Sequence, residues 1–274
     1  MDNKIYASTG AFIGRVNGRN YKLVLEYGSQ IHCDGFELMM YDNWYGIMDQ
    51  IIRDMSDSSL KFPVTHTEKS IGERISRNEQ GDTEYALERF RKNCYIAQGL
   101  GSDKLVTHLW GGSPSDKNIG HNIELFSKLD EIARSYHLLL TIENVVCNTH
   151  DPMTHIKELH HLYPNIMFTF DTKMAAFHQQ LNWIYENEWN WLWKENKIAH
   201  LHVNDYSGGY MDWSNLKTLH IGEGKIEFET FFDYIEKKEY QGSITVESTS
   251  MSADGSVQIN KLNKSLDYIY NRIR

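Results

Sequence analysis

Strand-like and helix-like segments alternate along the whole chain, and this alternation constrains the fold more than any other feature of the sequence. Short apolar runs predict eight strands, at residues 5–8, 35–39, 62–66, 105–108, 138–143, 166–171, 198–205 and 243–246. Apolar residues at helical spacing predict helices, at residues 21–27, 44–55, 83–100, 119–136, 182–196, 228–238 and 257–273. A further helix is predicted to begin with Asp151 as the N-cap and Pro152 at the first position.

Eight such units in 274 residues predict a (β/α)8 TIM barrel. A doubly wound open sheet is the main rival, but it is expected to carry a glycine-rich phosphate turn after its first strand. The segment 9–14 has its two glycines four residues apart, which is not that spacing. We therefore expect one barrel domain spanning residues 1–274.

Charge and cysteine content narrow the class of protein. The formal net charge is −9 and no basic stripe offsets it, which argues against nucleic-acid and anionic-membrane partners. Residues 1–4 lack the apolar run of a signal peptide, and no later stretch is long enough to span a bilayer. Three widely spaced cysteines make neither a disulfide framework nor a cysteine-rich zinc site. A cytoplasmic protein is the simplest interpretation.

Four of the predicted strands end in a side chain that can bind a metal ion. These side chains are Glu143, Asp171, His202 and Glu247. In a barrel the C-terminal ends of all strands meet at one mouth, so we expect these four groups to surround a single divalent cation. Three carboxylates and one imidazole suit Mn²⁺, Mg²⁺ or Co²⁺ and tolerate Zn²⁺. The alternative is that each is an isolated polar residue at a strand end.

The motifs around these strand ends resemble those of one superfamily. In chain order they are Thr141-Ile142-Glu143-Asn144, Phe170-Asp171-Thr172, the segment His200-Leu201-His202-Val203-Asn204-Asp205, Gly222-Glu223-Gly224-Lys225-Ile226 and Val246-Glu247-Ser248. The ordered set is similar to that of the xylose isomerase-like TIM barrels, which include sugar isomerases and epimerases, a dehydratase and endonuclease IV.

The resemblance implies a metal-dependent isomerase or epimerase acting on a small carbohydrate, which is a sugar, a sugar phosphate or a polyol. It implies that Glu143 and Glu247 both bind the cation and act as bases on opposite faces of the substrate, so that proton removal gives an enediolate that the cation stabilises. A dehydratase of the same superfamily and a metal-binding barrel without turnover are the alternatives.

The chain also departs from the family's epimerases. Met174 stands where they usually carry a histidine, Thr149 where they often carry a second glutamate, and residues 207–209 contain no arginine. A different substrate or a different reaction at the same metal therefore stays open.

Other polar residues follow strands at the predicted mouth. His66 and His108 are candidates for contacts with substrate, with hydrogen-bonded packing as the alternative. Lys173 is a candidate to stabilise an oxyanion or to pair with Asp205, with a solvated loop lysine as the alternative. Asp205 in turn is a candidate to orient His202 or the following loop.

Two further segments suggest a lid and an interface. The glycine-bearing segment 206–224 follows the seventh predicted strand and is a candidate lid. Four tryptophans lie in the predicted helix 182–196 with a spacing that wraps round it, so a homo-oligomer contact and ordinary packing are both open.

Overall fold

A computed structural model describes residues 3–273, so Met1, Asp2 and Arg274 of the predicted 1–274 domain lie outside the described residues. Eight parallel strands form a closed barrel in the order β1-β2-β3-β4-β5-β6-β7-β8. The strands are β1 Ile5–Ser8, β2 Gly35–Met39, β3 Val64–His66, β4 Lys104–Thr107, β5 Leu139–Glu143, β6 Met167–Asp171, β7 Ile198–Val203 and β8 Ser243–Val246. The fold is the predicted (β/α)8 TIM barrel, and closure of the sheet excludes the doubly wound alternative.

Helices flank the barrel, and most of the predicted ones are present. They are α1 Lys22–Tyr27, α2 Met48–Ser56, α3 Ser70–Arg77, α4 Asp82–Gly99, α5 Ile119–Ser135, α6 Pro152–Leu162, α7 Thr172–Phe177, α8 Trp191–Lys194, α9 Phe228–Lys237 and α10 Ile259–Ile273. The cap of α6 is confirmed, because the Asp151 side chain accepts the Thr154 N–H at 2.8 Å and Pro152 occupies the first turn. None of the helices within residues 3–273 combines the length and apolarity needed to cross a membrane.

The prediction of one continuous helix over residues 182–196 is wrong. Two 3-10 segments, Leu181–Tyr185 and Asn187–Trp189, precede the single turn of α8, and extended backbone at Glu186 separates them. The tryptophans pack within the chain: the rings of Trp183 and Trp189 stack with centroids 5.7 Å apart. Ring stacking of this kind overrides the helical periodicity.

The predicted strand bounds needed small corrections. The fourth strand ends at Thr107, so His108 directly follows it, and the third begins at Val64. The helices α3 and α7 were not predicted, because each is short and α7 depends on a cap from the preceding strand.

Two compact units can be distinguished within the described chain. The first comprises the residues up to Glu37 together with those from Phe170 on, and the second is Leu38–Thr169. The divisions fall inside β2 and β6, so each of these strands contributes residues to both units.

Alternate side chains of the strands β5 to β8 are polar and buried. Successive residues of a strand point to opposite faces, and the polar face carries Thr141, Glu143, Thr169, Asp171, His200, His202 and Thr245. The opposite face is apolar, as Ile142 and Leu201 illustrate. Because β2 and β7 are not neighbours in the barrel, the hydrogen bond between Glu37 and His200 identifies the polar face as the interior.

Candidate functional site

Three of the predicted metal ligands come together in the first unit. Asp171 ends β6, His202 lies near the end of β7, and Glu247 directly follows β8. The Nδ1 atom of His202 lies 3.5 Å from Glu247 Oε2 and 4.0 Å from Asp171 Oδ2. Asp171 and His202 are fully buried, and the Glu247 side chain retains only 11% of its exposure. The interior thus holds two carboxylates and one imidazole nitrogen directed at a common region.

Asn204 connects the two carboxylates. Its Nδ2 donates to Asp171 Oδ2 at 3.2 Å and to Glu247 Oε2 at 3.4 Å, while its Oδ1 accepts the Glu247 N–H at 3.0 Å. Two buried negative charges that share one amide donor repel each other, and a cation is the group that best offsets this repulsion. The donor set therefore fits a divalent metal ion that prefers oxygen and imidazole ligands.

The two carboxylate oxygens of Asp171 have different partners. The Oδ1 atom accepts the Met174 N–H at 2.8 Å and so caps helix α7. The Oδ2 atom is the one that faces Asn204 and His202. The cap holds the carboxylate in one orientation and leaves Oδ2 directed into the site.

On the Nε2 side of His202 lies a third carboxylate, that of Glu37 on β2, and it is fully buried. Its Oε2 is 3.1 Å from His202 Nε2 and 2.8 Å from His200 Nε2, and His200 Nδ1 is 2.7 Å from Ser243 Oγ. Burial by itself raises the pKa of Glu37, but the adjacent His202 and His200 outweigh burial and hold that pKa well below its usual value.

Lys173 is buried in the first turn of α7. Its Nζ donates to Thr218 Oγ1 at 3.1 Å, and Thr218 belongs to the loop after β7. The Asp205 carboxylate instead accepts the backbone N–H groups of Tyr206, Gly222, Gly224 and Ile226, at 2.8 to 3.1 Å. Of the two roles considered for Asp205, the structure supports organisation of the loop.

Three other predicted site residues meet in the second unit. The Oε2 atom of Glu143 lies 2.7 Å from His108 Nε2 and 3.2 Å from His66 Nε2, and the two rings form an edge-to-face pair 4.9 Å apart. His66 Nδ1 is 2.8 Å from the Thr67 carbonyl oxygen. Burial lowers the pKa of His108 to about 4, although the neighbouring Glu143 carboxylate opposes this shift. His108 is therefore neutral at pH 7, and both rings fix the position of the Glu143 carboxylate.

The sequence matches one known protein family over most of its length. The model described as "Xylose isomerase-like TIM barrel" matches residues 24–271. The chain belongs to this xylose isomerase-like family. A search of curated proteins gives no match.

Solved structures with the same fold include several sugar epimerases. An L-ribulose 3-epimerase superposes with a TM-score of 0.70 at 15% identity, over 99% of this xylose isomerase-like chain and 94% of the other. The D-allulose 3-epimerase from Methylomonas sp. in complex with D-allulose gives 0.71 at 14% identity, over 98% and 97%. The IolI protein with a bound zinc atom gives 0.72 at 14% identity, over 98% of both chains.

Sequence reasoning missed two members of the site of this xylose isomerase-like barrel. His200 and Asn204 were read only as parts of a motif, although they alternate with His202 along β7 and its end. Three polar residues at every second position of an otherwise apolar strand mark an inward face. Glu37, on β2, has no such local signal for its pairing with β7.

Proposed function

We propose that this protein is a sugar isomerase or epimerase that uses one divalent metal ion, Mn²⁺, Mg²⁺, Co²⁺ or Zn²⁺. The observation that carries the proposal is the convergence of Asp171 Oδ2, His202 Nδ1 and Glu247 Oε2 in the first unit. Membership of the xylose isomerase-like family and the shared fold of the epimerases and of zinc-bound IolI support it.

Glu143 is the fourth ligand in this proposal. It pairs in register with Thr169 on β6, and Asp171 lies two residues further along the same strand and on the same face. The strands β5, β6, β7 and β8 are consecutive in the closed barrel, so the four ligands come from four adjoining strand ends.

When bound, the cation would supply Lewis-acid stabilisation of the negative charge that develops as a proton leaves the carbon beside a carbonyl group. Glu143 and Glu247 are the carboxylates that we assign to remove and return that proton. His108 and His66 lie against the Glu143 carboxylate, and we assign both rings to contact the substrate. Lys173 is assigned to stabilise the developing oxyanion through its Nζ.

A dehydratase of the same superfamily is the second candidate. Met174, Thr149 and the arginine-free segment 207–209 depart from the residues that sugar epimerases of the family use toward substrate. The same base and the same cation would serve to expel water instead of returning the proton.

Isotope exchange tests the proposal. The protein is loaded with Mn²⁺ and incubated in heavy water with a panel of ketoses, aldoses and their phosphates, and NMR follows loss of the C–H signal. Exchange without a new ultraviolet absorbance supports an isomerase or epimerase, and a new double-bond absorbance supports the dehydratase. If the metal binds and no compound exchanges or dehydrates, a binding barrel without turnover is the remaining interpretation. The cytoplasmic location and a homo-oligomer stay predictions.

A further inference from the structure

Glu37 is a buried carboxylate, a group that is costly to remove from water unless neighbouring groups stabilise it. It lies on β2 and is fully buried. Within residues 3–273, its Oε1 atom has no hydrogen-bond partner. Burial of a carboxylate with one unsatisfied oxygen costs free energy, so the contacts of its other oxygen must offset that cost.

That other oxygen, Oε2, is shared by two imidazole rings from one strand. His200 Nε2 lies 2.8 Å and His202 Nε2 lies 3.1 Å from it. A carboxylate oxygen accepts hydrogen bonds, so both Nε2 atoms carry the ring hydrogen and donate to it. For His202 this leaves the Nδ1 lone pair on the side of Glu247 and Asp171.

We propose that Glu37 is a positioning residue that sets the tautomer and ring orientation of His202, so that Nδ1 is presented to a metal ion. The inference rests on the proposed metal site and extends it to a residue that contacts the ligand His202 at Nε2, the ring nitrogen other than Nδ1. Imidazole ligands commonly donate their second N–H to a carboxylate, which orients the ring and raises its basicity as a ligand.

His200 holds Glu37 from the other side. Its Nδ1 is 2.7 Å from Ser243 Oγ, whose hydroxyl can donate, so the chain of contacts runs from Ser243 through His200 and Glu37 to His202. Ser243 opens β8 and pairs in register with His200. The three strands β8, β7 and β2 thus fix the carboxylate that orients the metal ligand.

The test compares metal affinity, measured by titration of the full chain with Co²⁺ or Zn²⁺, in the wild type and in Glu37→Gln. The amide is a weaker acceptor than the carboxylate and adds a buried NH₂ group beside the rings. We expect the affinity to fall about 10-fold to 100-fold. Glu37→Asp retains the charge at a greater distance from the rings. Its metal affinity is expected to lie between those of the wild type and Glu37→Gln.

Asp82→Asn is the matched control, because Asp82 is also a buried carboxylate paired with a nitrogen side chain, Arg74 Nη1, at 2.9 Å. It should alter stability and leave metal affinity unchanged. Equal affinity in the wild type and in Glu37→Gln, or a stronger loss in Glu37→Asp than in Glu37→Gln, would overturn the inference. A wild-type chain that binds no metal would instead refute the proposed function.

A second readout needs no metal. Long-range ¹H–¹⁵N NMR spectra of the histidine-labelled chain distinguish the two neutral tautomers, and a His202→Gln variant assigns the signal. We expect the Nε2–H tautomer for His202 in the wild type and a mixture in Glu37→Gln. A wild-type ring with its hydrogen on Nδ1 would contradict the inference even if Glu37→Gln failed to fold.

Discussion

The Asp205 carboxylate accepts the Gly224 N–H at 2.8 Å, and a Cβ atom at residue 224 would lie only 2.2 Å from Asp205 Oδ1. The two residues are close because the loop after β7 folds back on the strand end that begins it. The same loop carries Thr218, the hydrogen-bond partner of Lys173. The geometry of the candidate site therefore depends on this contact.

Substitution of Gly224 by Ala should displace the loop. The added methyl group must move the carboxylate that also accepts the N–H groups of Gly222 and Ile226. We expect the free energy of unfolding to fall by about 1–3 kcal/mol, the cost of leaving buried donors without partners. Denaturant unfolding and hydrogen exchange of residues 206–224 measure the effect.

Gly209→Ala is the matched control within the same loop, because no atom lies within 4 Å of a Cβ atom built there. Faster exchange in Gly224→Ala but not in Gly209→Ala is the expected pattern. Similar behaviour of the two variants would contradict the role given to Asp205.

Metal binding should stabilise the protein and should depend on Asp171. A free metal concentration about a hundredfold above Kd is expected to add about 2.7 kcal/mol to the stability of the wild type, and a chelator should remove that gain. Asp171→Asn keeps a carbonyl oxygen that can accept the Met174 N–H, so the cap of α7 survives while a charged ligand is lost. Thermal melts with and without Mn²⁺ or Zn²⁺ measure both effects.

An exposed aspartate, Asp57, provides the control for charge. The melting temperature of Asp57→Asn should rise with metal as in the wild type. A metal-dependent shift that persists in Asp171→Asn would remove Asp171 from the proposed ligand set.

Loss of the Lys173 ammonium should reduce turnover without unfolding the chain. Lys173→Met keeps most of the buried hydrocarbon volume and removes the group assigned to the oxyanion. Removal of such a donor typically lowers kcat about 10²-fold to 10³-fold. The measurement is the rate of C–H exchange in heavy water on a substrate found by the panel.

Thr218→Val is the control for the hydrogen bond of Lys173, because it removes the partner of Nζ and leaves the lysine in place. It therefore distinguishes loss of that contact from loss of the ammonium group. Its effect on the exchange rate should be clearly smaller than that of Lys173→Met. Full activity in Lys173→Met would show that this lysine is structural.

The free energy of unfolding should fall at low pH, partly because Asp116 becomes protonated. Burial raises its pKa, but hydrogen bonds from His155 and from the backbone N–H groups of Thr149, His150 and Asn148 more than reverse this and hold the pKa well below the usual 3.8. The folded state thus binds the proton less well than the unfolded state, so the stabilisation is present above that usual value and is lost as the pH falls below it. Free energies of unfolding between about pH 3 and pH 7 test this.

In Asp116→Asn the free energy of unfolding at pH 7 should be lower, by about 1–3 kcal/mol, and its decline with acid should be shallower. Asp57→Asn should follow the wild-type curve. An equally steep decline in Asp116→Asn would assign the acid sensitivity to other groups.

Local sequence patterns were sufficient to predict most of the barrel. Period-two and period-3.6 spacing and helix caps depend only on neighbouring residues, so β1, β2, β5 and the start of α6 were placed to within one residue. The segment 182–196 failed because ring stacking between Trp183 and Trp189 competes with helical hydrogen bonding, and spacing does not record that competition.

The sequence alone predicted four candidate ligands at strand ends, because each follows its own apolar run. They are Glu143, Asp171, His202 and Glu247. Their partners were decided by the tertiary structure alone. Glu37 is 165 residues from His202, and Asn204 is 43 residues from Glu247. The Glu37–His202 contact arises from closure of the sheet, which brings the non-neighbouring strands β2 and β7 across one interior, whereas the Asn204–Glu247 contact arises from the pairing of β7 with β8. No local pattern encodes them.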